Sequence, residues 1–235
     1  MKDDDVMVVA SKVLATAEGR IRDLAKIRPS RKGVALARRY GMEPAHVQTV
    51  LDEADVVLGG IHKTLITLKD NVLIANGGVD KSNAPRNHVI LWPSNPDLWA
   101  LKIRRAFKTR LGVDIGVIVA DSRVHPLRIG TIGCAIGVSG LDPVREYRGI
   151  IDLFGKPLLI SRLAVADDLA STAHVLMGEA AERIGAVIIK DAPIVRSETK
   201  SIKDTLIEPE DCLFMGSIFQ YPAKLAHLRR TARRN

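Results

Sequence analysis

The feature that most restricts how this chain can fold is the run GVIVADSRVHPLRIGTIGCAIGVSG, Gly116 to Gly140. Its head, Ile115 to Ala120, is a short continuous apolar stretch, the pattern of a strand covered on both faces. Asp121 and Ser122 follow, where that strand should end. A carboxylate and a hydroxyl at a strand terminus are held rigidly yet face solvent, which suits a hard cation carrying phosphate oxygens. Downstream, Gly130, Gly133, Gly137 and Gly140 leave little side-chain bulk, so backbone could approach a ligand or another strand closely. The plainer interpretation is a structural strand, an Asp-Ser turn and a glycine-tolerant bend.

Two further stretches add weight to the first interpretation. Val72 to Ala75 reads as a strand, and NGGVDKSN, Asn76 to Asn83, follows it, so Asp80 is a second carboxylate on a loop just beyond a strand. Two such carboxylates could share a divalent ion that bridges to a nucleotide's phosphates, or Asp80 and Asn83 could simply cap their own turn. From Ala164 to Glu179, AVADDLASTAHVLMGE, the apolar residues Val165, Leu169, Ala173 and Leu176 recur at helical spacing. Gly178 ends that helix. Glu179 just past it is unhelped by the helix dipole, so it calls for solvent or a metal.

NGGVDKSN, GVIVADS with its GTIGCAIGVSG continuation, DLFGKPL at Asp152 to Leu158, and VADDLASTAHVLMGE resemble, in order, successive motifs of the coenzyme F420:L-glutamate ligase family. VMVVASKVLATAEGRI, Val6 to Ile21, is similar to that family's first strand and loop. Together they cover roughly Asp5 to Lys190. The resemblance implies an α+β fold of two α+β domains, the second inserted within the first, in an intertwined homodimer. It implies a GTP-dependent amide ligase that joins L-glutamate to the carboxylate of the deazaflavin precursor F420-0, releasing GDP and phosphate. Divalent metal, Mg2+ or Mn2+, and a monovalent cation such as K+ would assist. Motif by motif, Asp80 and Asp121 resemble ligands of one metal, Ser122 stands for a threonine metal ligand, and Glu179 resembles a ligand of the other. Ser11, Lys12, Asn83 and Arg128 fall on nucleotide-site positions, as do Met177, Gly178, Glu179 and Ala180 at the head of a loop, Met177 to Ile184, that lines the nucleotide. No catalytic acid or base is assigned. The chemistry agrees: a carboxylate and an amine do not condense in neutral water, an acyl phosphate activates the acid, and phosphoryl transfer mainly needs charge neutralisation.

The departures from the family pattern are local. Where typical members read DTxGRxxRxG, this chain reads DSRVHPLRIG, with Val124 and His125 at the Gly-Arg positions and Arg128 and Gly130 kept. His125 for a fixed guanidinium removes permanent charge and a donor fork, which Arg123 next door could replace. A family lysine shortly before Ala-Glu-Gly is Thr16. The chain starts near a Gly-Asp pair that the family usually reaches after a Pro-containing nucleotide loop, so either the start is misassigned or part of the nucleotide pocket is missing.

With 235 residues and 46% hydrophobic side chains, the chain can bury a real core as one large domain or two small ones. No apolar run approaches the roughly 20 residues of a membrane span, and MKDDDVMVV has no secretory character. Cys134 and Cys212 lack metal-like spacing, so reduced thiols and a cytoplasmic protein are expected. The net charge of +8 draws anions. Its clearest cluster is KLAHLRRTARRN, with Lys224, Arg229, Arg230, Arg233 and Arg234, which reads as an exposed charged tail; 4% aromatics leave few stacking platforms for single strands.

Along the rest of the chain, strands are expected at Val6 to Ala10, Val56 to Ile61, Leu65 to Lys69 and His88 to Leu91, with a tight turn at Asp70-Asn71. A loop is expected from Thr16 to Arg20. Helices are expected from Arg31 to Tyr40, from Glu43-Pro44 onward, and from Pro96 to Leu111 with Lys102, Arg104 and Arg105 on its polar side. Leu158 to Ala164 is strand-like, Ala186 to Ile189 reads as a buried strand, and Ser197 to Lys203 as a mobile polar segment. Cys212 to Phe219 is apolar enough to dock on the core or a partner. Three functions are compatible with these features: the glutamate ligase, a paralogue using the same site for another amino acid or acceptor, and a non-catalytic basic protein binding nucleic acid through the C-terminal arginines.

Overall fold

The computed structural model describes residues 1–220, so the basic cluster from Lys224 to Arg234 lies outside the described residues. In chain order the elements are β1 (Val6–Ala10), α1 (Ser11–Ala17), β2 (Ile21–Asp23), α2 (Arg31–Tyr40), α3 (Pro44–Glu53), β3 (Val56–Ile61), β4 (Thr64–Lys69), β5 (Val72–Ala75), β6 (His88–Ile90), α4 (Pro96–Leu111), β7 (Gly116–Val124), β8 (Thr131–Ser139), β9 (Arg145–Glu146), β10 (Arg162–Leu163), α5 (Val165–Met177), β11 (Ala186–Ile189) and α6 (Leu213–Gln220). They fall into two compact units, Met1–Asp204 and Thr205–Asn235. The architecture is mixed α+β. No helix among the described residues is long and apolar enough to cross a membrane.

Local chemistry explains the helices that the sequence announced. Ser30 accepts a hydrogen bond from the Gly33 N–H at the start of α2, and Asn95 does the same for Leu98 at the start of α4. Pro44 and Pro96 occupy first-turn positions, and Gly41 and Gly112 close α2 and α4 with left-handed backbone. The Asp70-Asn71 turn joins β4 to β5 with both residues left-handed, at φ 51° and 61°.

A four-stranded sheet, β11-β1-β7-β8, carries the first unit. β1 and β7 run parallel, with Val6 opposite Gly116 and Ala10 opposite Ala120, while β11 and β8 are antiparallel to their neighbours. One face packs on α5 through Val8, Ile118, Ala135 and Ala170; the other packs on α4 through Val9, Val119, Ile136 and Ala100. A third core of Leu24, Val47, Val50, Leu65, Val89 and Leu91 gathers only residues between β1 and β7. It is built from α2, α3, the β3-β4-β5 sheet and the β2-β6 pair.

Several expectations need correction. β7 does not end at Ala120 but runs through Asp121 and Ser122 to Val124, and the glycine-bearing segment after it is a second long strand, β8, rather than a bend. The glycines there serve helix packing. A Cβ on Gly133 would lie 2.3 Å from the Ala170 carbonyl oxygen of α5, and one on Gly137 would lie 2.4 Å from the Pro96 carbonyl carbon of α4. That close approach also explains why α5 buries Ala166, Ala170 and Ala173, whereas Leu176 is exposed. Ser11–Ala17 is a helix where loop character was expected from Thr16 onward. Arg104, assigned to a polar face, is 5% exposed and paired with Asp114 and Glu198. Glu198 and Ile202, bonded to Arg104 and Asp97, tie down the segment expected to be mobile. β11 is a half-exposed edge strand. Of Leu158 to Ala164, only Arg162–Leu163 is strand, and Leu159 and Ile160 face solvent. They belong to a narrow arm closed by β9-β10 and the Ile151–Pro157 bridge, with DLFGKPL at its tip. In the second unit, α6 covers most of the apolar Cys212 to Phe219 run.

Candidate active site

β1 ends at Ala10, opposite Ala120, while its parallel neighbour β7 runs on to Val124, so a crevice for ligands opens beyond the end of β1. β1 delivers Ser11 and Lys12 at the start of α1; β7, in register beside it, delivers Asp121 and Ser122. Strand alternation then divides the two β7 residues. Val117 and Val119 belong to the α4-side core and Ile118 and Ala120 to the α5-side core, so Asp121 continues the first face and Ser122 the second.

On Asp121's side, the loop after β5 brings in Asp80. Asn76, Gly77 and Gly78 are all left-handed, and the turn is locked by the Leu65 N–H donating to Asn76 Oδ1 at 2.9 Å and the Gly77 N–H to Thr67 Oγ1 at 2.8 Å. Only a residue without Cβ fits at Gly78, because a Cβ there would lie 2.4 Å from Trp92 Nε1. Asp80 exchanges both backbone hydrogen bonds with Ile90, at 2.9 and 2.8 Å, so its position is fixed from β6. Its Oδ2 holds the Lys12 ammonium at 2.6 Å; its Oδ1 accepts from the backbone and hydroxyl of Ser82, both at 2.7 Å. Lys12 also donates to Ser82 Oγ at 2.9 Å. Burial opposes charge on Asp80, but Lys12 and Ser82 outweigh it and hold its carboxyl below the usual range. Asp121 goes the other way: burial pushes its carboxyl up, despite the Ser122 N–H on Oδ1 and the Trp92 indole N–H on Oδ2.

On Ser122's side, α5 ends and Gly178, with φ 68°, turns the chain so that Glu179 faces the sheet. Glu179 Oε1 accepts from Thr131 Oγ1 of β8 at 2.5 Å and lies 2.8 Å from His174 Nε2. Burial opposes its charge too, yet Thr131 and His174 hold the carboxyl below the ordinary range. Asn83 Nδ2 donates to the Ala180 carbonyl at 2.9 Å, strapping the Asp80 loop to the Glu179 loop.

The result is two adjoining cavities. The larger, about 500 Å³, is walled by Ser11, Lys12, Asn83, Ser122 and Glu179, with Met177, Gly178 and Ala180 on the mostly apolar side. The smaller, about 190 Å³, is walled by Asp80, Trp92 and Thr131; Ser11, Lys12, Asp121 and Ser122 are common to both. Arg128 lines neither: it lies in the exposed β7-β8 connection, as does His125. Arg123 lines the smaller cavity and its guanidinium lies 3.1 Å from Asp167 of α5.

Among the described residues, no three His, Cys, Asp or Glu side chains stand close enough to form a metal cage unaided. The donor set is nevertheless of one chemical kind. Carboxylates and hydroxyls are what Mg2+ accepts when one or two protein carboxylates are completed by water and substrate phosphates. A cation is already seated there, in the form of the Lys12 ammonium on Asp80. The residues therefore fit a divalent ion that arrives with a phosphate ligand. Sequence inspection missed Trp92, Thr131 and His174, which hold the carboxylates. Trp92 stands just past the strand expected at His88 to Leu91, and the other two partners are joined to Glu179 by the fold, with nothing but the local spacing of His174 to suggest them.

Residues 1–191 match the family described as F420-0:gamma-glutamyl ligase. A coenzyme F420:L-glutamate ligase of Methanocaldococcus jannaschii is 40% identical over 215 residues, covering 91% of this chain and 86% of that protein. Ligases of the same name from Methanopyrus kandleri and Methanothermobacter thermautotrophicus are 39% and 36% identical, each covering 81% of this chain and 76% of the relative. Fold, site and relatives together define the class as that of a ligase. The chain belongs to the F420-0:gamma-glutamyl ligase family.

Proposed function

We propose that this chain is a GTP- and divalent-metal-dependent ligase that adds L-glutamate to F420-0 through an acyl phosphate. The observation that carries this reading is the convergence of Asp80, Asp121 and Glu179, distant in sequence, on two cavities sharing Lys12 and Ser122. The apolar wall of the larger cavity accommodates a nucleotide base, and Asn83 spans its mouth. Mg2+ or Mn2+ held by Asp80, Asp121 and Ser122, with Glu179 at a second ion and K+ assisting, would neutralise the triphosphate. Lys12, once released from Asp80, is within the same cavity wall to pair with a phosphate oxygen. The F420-0 carboxylate then attacks the terminal phosphorus; the new P–O bond forms as the bond to GDP breaks. The glutamate amine attacks the acyl phosphate carbon, the C–N bond forms, phosphate leaves and the amine gives up a proton.

The homodimer belongs to the same proposal, with the third core as the inserted domain. The arm presents Leu153 and Phe154 at 99% and 87% exposure, an apolar tip that suits burial on a second copy. A cytoplasmic setting accords with two free cysteines.

A paralogue with another amino acid or acceptor has one observation in its favour: Val124 and His125 stand at the family's Gly-Arg positions, and His125 lies in the exposed β7-β8 connection. One experiment decides both. The full chain is incubated with F420-0, GTP, Mn2+ or Mg2+ and each candidate amino acid, and the deazaflavin product is weighed by mass spectrometry. A glutamyl adduct that needs GTP and metal is expected; an adduct with a different amino acid only would select the paralogue, and no adduct with any would overturn the ligase reading.

A further inference from the structure

Glu179 is in an awkward position for an anion, just past the C-terminus of α5, where the helix dipole disfavours negative charge. It follows a glycine, so its backbone is poorly restrained by its neighbour. Two side chains from different elements bond its Oε1, Thr131 from the start of β8 and His174 from the last turn of α5, and the Ser122 hydroxyl also acts on the carboxylate. An ionised carboxylate only accepts, so His174 Nε2 carries the proton in this contact. Both contacts fall on Oε1, and Oε2 takes part in neither. A hydroxyl alone would leave the carboxylate free to pivot about a single bond. A second donor on the same oxygen sets its plane. His174 and Glu179 both line the larger cavity beside Ser122.

We propose that His174 is a positioning residue for the reaction: by holding Oε1 it aims Oε2 of Glu179 across the cavity at the cation and phosphate position beside Ser122. This rests on the metal-dependent reading above. His174 does not touch the reacting atoms. Its effect passes through Glu179, as partners behind a metal ligand commonly act.

The test is Mn2+ titration of the full chain, by electron paramagnetic resonance of free Mn2+, with a non-hydrolysable GTP analogue present. Wild type, H174L, H174Q and E179Q are compared, with analogue affinity measured separately in chelator. H174L is expected to weaken Mn2+ binding about 10-fold beyond any change in metal-free analogue affinity, the lower end of losses behind a metal ligand. H174Q keeps a donor at similar reach and restores most of the loss. If H174L fails to fold, H174N, whose amide stops short of Glu179, takes its place. Wild-type Mn2+ affinity in H174L or H174N while E179Q loses it overturns the positioning role alone. Wild-type affinity in E179Q overturns both this role and the metal site on which it stands.

Discussion

Changing Asp121 to Asn removes a charge that burial disfavours and keeps an oxygen for the Trp92 indole N–H, at the loss of the Ser122 N–H bond to the other oxygen. The sign follows from proton linkage. With its folded-state pKa raised, Asp121 binds a proton more tightly in the native chain than in the unfolded one. Stability therefore falls as pH rises from the ordinary value of 3.8 through the raised value, and stays lowered above it. At neutral pH the native chain carries this cost. The Trp92 and Ser122 donors offset part of it. Asp121→Asn should then stabilise the metal-free protein by about 1 kcal/mol, the lower end for a buried polar group imperfectly compensated. That corresponds to a Tm increase of roughly 2–4 °C in a chain this size. Thermal unfolding followed by circular dichroism in chelator measures it, and the advantage should shrink as pH is lowered through 3.8, below which wild-type Asp121 is protonated in both states. With the GTP analogue present throughout, added Mn2+ should reverse the order, since saturation near 100 Kd stabilises wild type by about 2.7 kcal/mol and the variant scarcely at all. A variant less stable than wild type in chelator at neutral pH refutes the electrostatic account. Equal stabilisation of both by Mn2+ refutes Asp121 as a ligand.

Trp92→Phe deletes the indole donor to Asp121, and Mn2+ affinity in the same titration should fall about 10-fold with little loss of helical signal. Gly133→Ala drives a methyl into the Ala170 carbonyl, with backbone on both sides, and should cost about 2–3 kcal/mol by urea denaturation, at the upper end of overpacking changes. Arg104→Met strips Glu198 of its partner but leaves Lys108 and Arg196 on Asp114, so a loss of about 2–3 kcal/mol is expected; unchanged analogue affinity measured alongside would separate this strut from the site.

The sequence was most legible where structure is set by near neighbours. Ser30, Asn95, Pro44, Pro96, Gly41 and Gly112 are caps whose bonds lie within a turn, so α2, α3 and α4 could be outlined from residues alone. Asp70-Asn71 is legible for the same reason. β8 was not, because Gly133 and Gly137 signal flexibility locally but answer to helices from elsewhere in the chain. Arg104 looked like a surface cation because Glu198, which helps bury it, is remote in sequence. The candidate site divides similarly. Its carboxylates sit in recognisable motifs, whereas Trp92 and Thr131 act on Asp121 and Glu179 across contacts that no spacing announces.

The pairing of Val6 with Gly116 has a kinetic side. All of α2, α3 and the third core lie in the loop that this pairing closes, and loop-closure entropy makes such remote parallel contacts slow to form. Ser11 and Asp121 stand at the far end of that same pair of strands. During refolding, helical ellipticity should therefore return before affinity for nucleotide does, and ligand capture would mark the final closure of the chain.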